Sequence, residues 1–138
     1  MEKATIIEKI TQHKNQPNLK FQLKEKTEAF TKRLFYTLFD IETPVEESLE
    51  ILEKEFLVLV DLACWINCES FSAVWNRYIG KFPKILKLLK LDAEAVINCD
   101  PATQLIEEVY MAYPGFYAIA IYRLAHELFQ EGLPLVPR

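Results

Sequence analysis

Thr43-Pro44-Val45-Glu46-Glu47-Ser48-Leu49-Glu50-Ile51-Leu52-Glu53-Lys54-Glu55-Phe56 is the stretch on which the fold turns. Thr43 is of a type that caps helices, Pro44 suits a first helical turn, and Glu46 stands where a capping box needs an acid. Leu49, Leu52 and Phe56 then share one face at helical spacing. From Phe56 to Ile66 the chain is apolar on nearly all sides. The pattern predicts one helix running to about Cys68, which passes from the surface into a core or a subunit contact.

The same period extends in both directions. On the N-terminal side, Leu19, Leu23, Phe30, Leu34 and Leu38 form a stripe that predicts a helix from Leu19 to Phe39. Ile6, Ile7 and Ile10 suggest a short peripheral helix within residues 1–16, broken by Pro17 and Asn18. On the other side, a helix is expected from Glu69 to Tyr78, ended by Gly80. Pro83 opens the next, with Ile85, Leu86, Leu88 and Leu89 inward, and Asp92 is placed to cap a further short helix, Ala93 to Asn98. Asp100-Pro101 repeats the cap-then-proline pattern and should start a helix from Ala102 to Met111. Tyr113-Pro114-Gly115 opens the last helix, which runs to Glu131. There Gly132 can take the left-handed closing position and Pro134 prevents continuation. No run alternates apolar and polar residues between turn signals. The expectation is an all-α, compact domain of six to eight helices spanning residues 1–138.

Composition narrows the function. Among 138 residues, 16 Lys plus Arg against 20 Asp plus Glu give a net charge of −4. That balance argues against nucleic acid as a partner, since its binders need a basic footprint. Only 3 residues are Gly, which leaves little room for a phosphate-cradling loop. The longest apolar stretches are interrupted, by Asp61 in one and by Pro114 and Gly115 in the other. No membrane span is expected, and the charged N-terminus is unlike a secretory leader. Three cysteines, Cys64, Cys68 and Cys99, make no disulfide framework, so a cytoplasmic location is expected.

Candidate chemistry is sparse. His126 shares a helix face with Tyr122, beside an i,i+4 pair of Arg123 and Glu127. Without a nucleophile near it, it reads as a half-buried histidine bonded to a neighbour and not as a general base. His13 lies in a polar segment and has no assigned role. Cys64 and Cys68 are four apart on one face, but the chain offers no further ligands at metal spacing, so no metal site is expected. Lys81, Lys84, Lys87 and Lys90 read as the solvated face of a helix before they read as an anion ridge. Phe116, Ile119, Ala120, Leu124 and Leu128 form a stripe for core packing or a subunit contact. Asp100 has two readings. It is a helix cap, or it is a carboxylate at a helix entrance that pairs with an ammonium group or accepts a hydroxyl proton.

Two segments weigh on that choice. Asn98-Cys99-Asp100-Pro101-Ala102 is followed by Tyr113-Pro114-Gly115-Phe116-Tyr117-Ala118-Ile119-Ala120-Ile121-Tyr122-Arg123-Leu124-Ala125-His126-Glu127-Leu128. Together they resemble the helical N-terminal part of bacterial serine O-acetyltransferase. That family carries an Asp-Pro-Ala element followed by a Gly-Phe-x-Ala-x-x-x-Tyr-Arg-x-x-His helix, here Gly115-Phe116, Ala118, Tyr122-Arg123 and His126. The match spans residues 98–132, is vaguer over about 40–97, and is weak over 1–39.

The resemblance implies an enzyme that transfers acetyl from acetyl-CoA to the hydroxyl of L-serine, giving O-acetylserine for cysteine synthesis. It implies a left-handed β-helix after the helical part, with the catalytic His and the acetyl-CoA groove on that β-helix. Residues 133–138 would then be its lead-in. No hexapeptide repeat occurs in residues 1–138, so no catalytic residue is assigned within this chain, and alone it is expected to be inactive. Carried over, Asp100 is the one substrate-site residue, suited to the ammonium group of serine. No metal or bound cofactor is implied for this domain, with acetyl-CoA a co-substrate of the whole enzyme. The resemblance also implies a homo-oligomer, with trimers joined through these helices. The stretch Phe56 to Ile66 with Trp65, or Trp75 and Tyr78, are candidates for that contact. O-acetylserine sulfhydrylase would bind through a C-terminal tail outside these residues. The alternative is a stand-alone, non-catalytic helical interaction module. A small helical DNA-binding domain is disfavoured by the charge.

Overall fold

A computed structural model describes residues 2–15, 21–63, 70–100, 102 and 104–133 of the chain. Among them run seven α-helices and no strand, so the fold is all-α. They are α1 (Lys3–His13), α2 (Phe21–Phe39), α3 (Val45–Leu62), α4 (Phe71–Gly80), α5 (Phe82–Cys99), α6 (Ile106–Ala112) and α7 (Pro114–Gln130). No described helix is long and apolar enough to cross a membrane.

The apolar stripes do the packing that their spacing dictates. On α3, Leu52, Phe56 and Leu59 are fully buried, and α2 lies along this helix with Leu23, Phe30 and Leu34 turned inward. Phe56 is the centre of this half. Its ring lies 6.0 Å from Phe30, 5.6 Å from Phe71 and 5.3 Å from Trp75, and it stacks on Tyr78 at 6.1 Å. Trp75 and Tyr78, candidates for a subunit contact, are core residues, 2% and 1% exposed. The Tyr78 hydroxyl finds a buried partner by donating to the Leu124 carbonyl oxygen at 3.0 Å. Burial, and then the charge of Glu127, hold that hydroxyl far above its ordinary pKa. It stays a neutral donor. Each such large buried side chain contributes about 1.5–3 kcal/mol of transfer free energy.

The second half of the core is built by α5, α6 and α7, which pack on one another, with α2 reaching α7. Leu89, Ala93, Val109, Phe116 and Ala120 are fully buried there. The α7 stripe runs through Phe116, Ala120, Leu124 and Leu128, while Ile119 turns outward. That helix closes with a left-handed Gly132 at φ 86°. The Gly132 N–H donates to the Phe129 carbonyl at 2.9 Å and the Leu133 N–H to that of Leu128 at 3.2 Å. This is a Schellman closure, and both members of its apolar contact, Leu128 and Leu133, are buried. By contrast, α1 buries none of its residues, and Ile6, Ile7 and Ile10 all face outward.

Helix starts differ from the expected ones. Thr43 does not cap α3. The N-cap is Pro44, and the Thr43 hydroxyl instead donates to Asp40 Oδ2 at 2.6 Å. The charge-assisted bond to a carboxylate one turn back holds the hydroxyl in the turn. Asp92 caps nothing, because α5 is continuous from Phe82 to Cys99. Its carboxylate is taken by Arg123 of α7, with Nε to Oδ2 at 2.8 Å and Nη2 to Oδ1 at 3.1 Å. The helix expected from Ala102 begins only at Ile106. The cap of α4 is Ser70, whose Oγ accepts from the Ala73 N–H at 3.2 Å. The expected extensions to Leu19 and to Cys68 lie outside the described residues, as do Trp65, Cys64 and Cys68.

Candidate functional site

Asp100 stands where α5 ends. A residue before proline is restricted to extended backbone, which stops a helix at that point. Asp100 obeys, at φ −116° and ψ 106°, while its N–H still donates to the Val96 carbonyl at 3.0 Å. Its carboxylate then reaches forward. Oδ1 accepts the N–H of Ala102 at 2.9 Å, the two-residue reach of an Asx turn. Oδ2 accepts a hydrogen bond from the hydroxyl of Tyr113. Asp100 is therefore not the N-cap of the following helix, whose own N-cap, Leu105, offers no side-chain bond.

Tyr113 is fixed from both sides. It is at once the C-cap of α6 and the N-cap of α7, half-buried and extended at φ −95° and ψ 103°. Its carbonyl accepts the N–H groups of Phe116 at 3.1 Å and Tyr117 at 3.3 Å, and Pro114 follows at the first helical position. Below it lies an aromatic cluster. Phe116 sits 5.1 Å from Tyr110 and 5.5 Å from Phe39, and Tyr110 is 4.8 Å from Phe39. Burial, then Glu94 and Glu107, raise the Tyr110 hydroxyl above its ordinary pKa. Among the described residues, Ala102 and Tyr113, eleven residues apart in sequence, both donate to this carboxylate. An ionised carboxylate only accepts, so the partners it suits are donors such as an ammonium or hydroxyl group.

The other candidates are placed elsewhere. His126 is exposed on α7, stacked on Tyr122 at 6.0 Å, with its Nε2 3.1 Å from the Gln130 amide nitrogen. The expected pair of Arg123 with Glu127 is replaced by pairs between helices. Arg123 takes Asp92, and Glu127 takes Lys81 Nζ at 2.9 Å. A forked guanidinium–carboxylate contact between helices outweighs an exposed pair along one helix, worth a few tenths of a kcal/mol. Lys81 therefore leaves the lysine series, and Lys84, Lys87 and Lys90 remain as the solvated face. Cys99 is an exposed free thiol. The outer side of α7 carries a shallow, open apolar depression lined by Tyr117, Ile121, Tyr122, Ala125, His126 and Phe129.

The sequence signals Tyr113 only as the first residue of Tyr-Pro-Gly, and no spacing rule links it to a carboxylate thirteen residues earlier.

No protein-family model matches the chain. Curated relatives do. One, "Serine acetyltransferase, plasmid" of Synechococcus elongatus, is 50% identical over 67 residues, which is 49% of this chain and 21% of that protein. A "Serine acetyltransferase" of the same organism is 41% identical over 54 residues, 39% of this chain and 22% of that protein. Another, of a Synechocystis species, is 39% identical over 54 residues, again 39% of this chain and 22% of that protein. The likeness to serine acetyltransferases that the Asp100 and Tyr122-Arg123 segments suggested is thus found across up to half of the chain. The chain spans about a fifth of the length of the curated relatives it matches.

Proposed function

We propose that this chain is the helical N-terminal part of a serine O-acetyltransferase, and that it supplies Asp100 to the serine site and contacts to a homo-oligomer. The observation that carries this reading is the 50% identity over 67 residues to a serine acetyltransferase, joined to a carboxylate held ready at the α5–α6 junction. In the reaction, a base outside these residues removes the proton of the serine hydroxyl as its oxygen attacks the thioester carbonyl of acetyl-CoA. The new C–O bond replaces the C–S bond, and the proton passes to the CoA thiolate. Asp100 pairs with the serine ammonium group and orients the nucleophile. The product feeds cysteine synthesis in the cytoplasm, and a tail outside these residues is where O-acetylserine sulfhydrylase would dock. With Trp75 and Tyr78 in the core, the oligomer contacts fall to exposed apolar groups, Leu57 and Val58 on α3 and the outer side of α7.

The test is O-acetylserine formation from acetyl-CoA and L-serine by these helices joined to the β-helix that the reading requires. Residues 1–138 alone should yield none. In the joined enzyme, Asp100→Asn should raise the serine KM by about 10- to 150-fold, the worth of a hydrogen bond to a charged group. An active enzyme whose serine KM ignores that change would remove Asp100 from the site. Absence of serine acetylation would remove the transferase reading.

A further inference from the structure

We propose that Tyr113 is a positioning residue for the serine site, its hydroxyl setting the direction in which the Asp100 carboxylate meets the substrate. This rests on the transferase reading above and adds to it a second residue from a different helix boundary.

The geometry is specific. An Asp in an Asx turn is held by one oxygen only, and the carboxyl group can still rotate about its bond to Cβ, a torsion with broad preferences. The Ala102 N–H fixes Oδ1 at 2.9 Å. The Tyr113 hydroxyl fixes Oδ2, and with both oxygens held the plane of the carboxylate is set. The donor itself has little freedom. Tyr113 sits between the last turn of α6 and Pro114 of α7, and neighbouring α6 and α7 residues, Tyr110 and Phe116, pack into the aromatic cluster with Phe39. The orientation of the carboxylate is therefore set jointly, by its own turn through the Ala102 N–H and by the packing of α6 and α7 through Tyr113. A misdirected partner loses the charge-assisted contact that binds the ammonium group and aims the hydroxyl.

The experiment is a double-mutant cycle in the joined, active enzyme, with Tyr113→Phe, Asp100→Asn and the pair. Tyr113→Phe removes the donor and keeps the ring. It should raise the serine KM about 3- to 10-fold, the range of one hydrogen bond, with the acetyl-CoA KM unchanged. In the Asp100→Asn background the same change should add nothing, because the group it directs is gone. Tyr113→Leu serves if Tyr113→Phe does not fold, since it also lacks the donor. An unchanged serine KM in Tyr113→Phe overturns the proposal, and so does an equal rise in both backgrounds, which marks a general packing role. If Asp100→Asn alone leaves the serine KM unchanged, the failure belongs to the substrate-contact reading itself.

Discussion

Asp40 and Asp100 occupy the same place, one residue past the end of a long helix, and they make the same first bond. Asp40 Oδ1 accepts the N–H of Glu42 at 3.2 Å, and Asp100 Oδ1 accepts that of Ala102 at 2.9 Å. The difference is in the second oxygen. Asp40 gives it to the hydroxyl of Thr43, three residues on, and the turn is complete within itself. Asp100 gives it to the hydroxyl of Tyr113, beyond the whole of α6. The local turn connects two helices through bonds within four residues. The long-range one makes a charged group depend on tertiary structure, which is how a scaffold holds a functional side chain in one orientation.

Both turns lean on one aromatic cluster, since Phe39 precedes Asp40 and Phe116 follows Tyr113 by three. The largest effect therefore comes from removing what they share. Phe116→Ala should lower stability by about 3–5 kcal/mol, read as a shift in the urea midpoint. Next comes the functional contrast. Asp40→Asn should leave the serine KM of the joined enzyme where it is, against the rise of at least about tenfold expected for Asp100→Asn. Equal effects would erase the distinction between the two turns. The smallest effect sharpens the local turn. The Thr43 hydroxyl first, and the Glu42 N–H second, hold the Asp40 carboxyl below its ordinary value of 3.8. With the folded value depressed, the turn's contribution is present above pH 3.8 and is lost as the pH falls through the folded value. Thr43→Ala should move the Asp40 titration upward toward 3.8, as followed by carboxyl NMR.

A local bond can be misread from sequence even where the helices are read well. The period-3.6 stripes of Leu52, Phe56 and Leu59, and of Phe116, Ala120, Leu124 and Leu128, place the core because burial is a property of spacing. Thr43-Pro44 and Asp100-Pro101 both look like a cap followed by a first-turn proline. In each case the side chain serves a turn, because an acceptor or donor nearer in space won. Likewise Asp92 reads as a cap until Arg123, thirty-one residues away, claims it. What sequence spacing cannot supply is the partner from another helix, and at Asp100 that partner is the part that aims the group.

The bond between Asp100 and Tyr113 closes a loop around α6. A helix of seven residues, Ile106–Ala112, is too short to persist on its own. It is held by Val109 in the core and by this clasp at its two ends. Opening of α6 and release of the Asp100 carboxylate are thus linked, because an excursion that carries Tyr113 away also takes away a donor of that carboxylate. On the proposal that Asp100 meets serine, the protection of the α6 amides against exchange with solvent would read how much of the time that acid is in place.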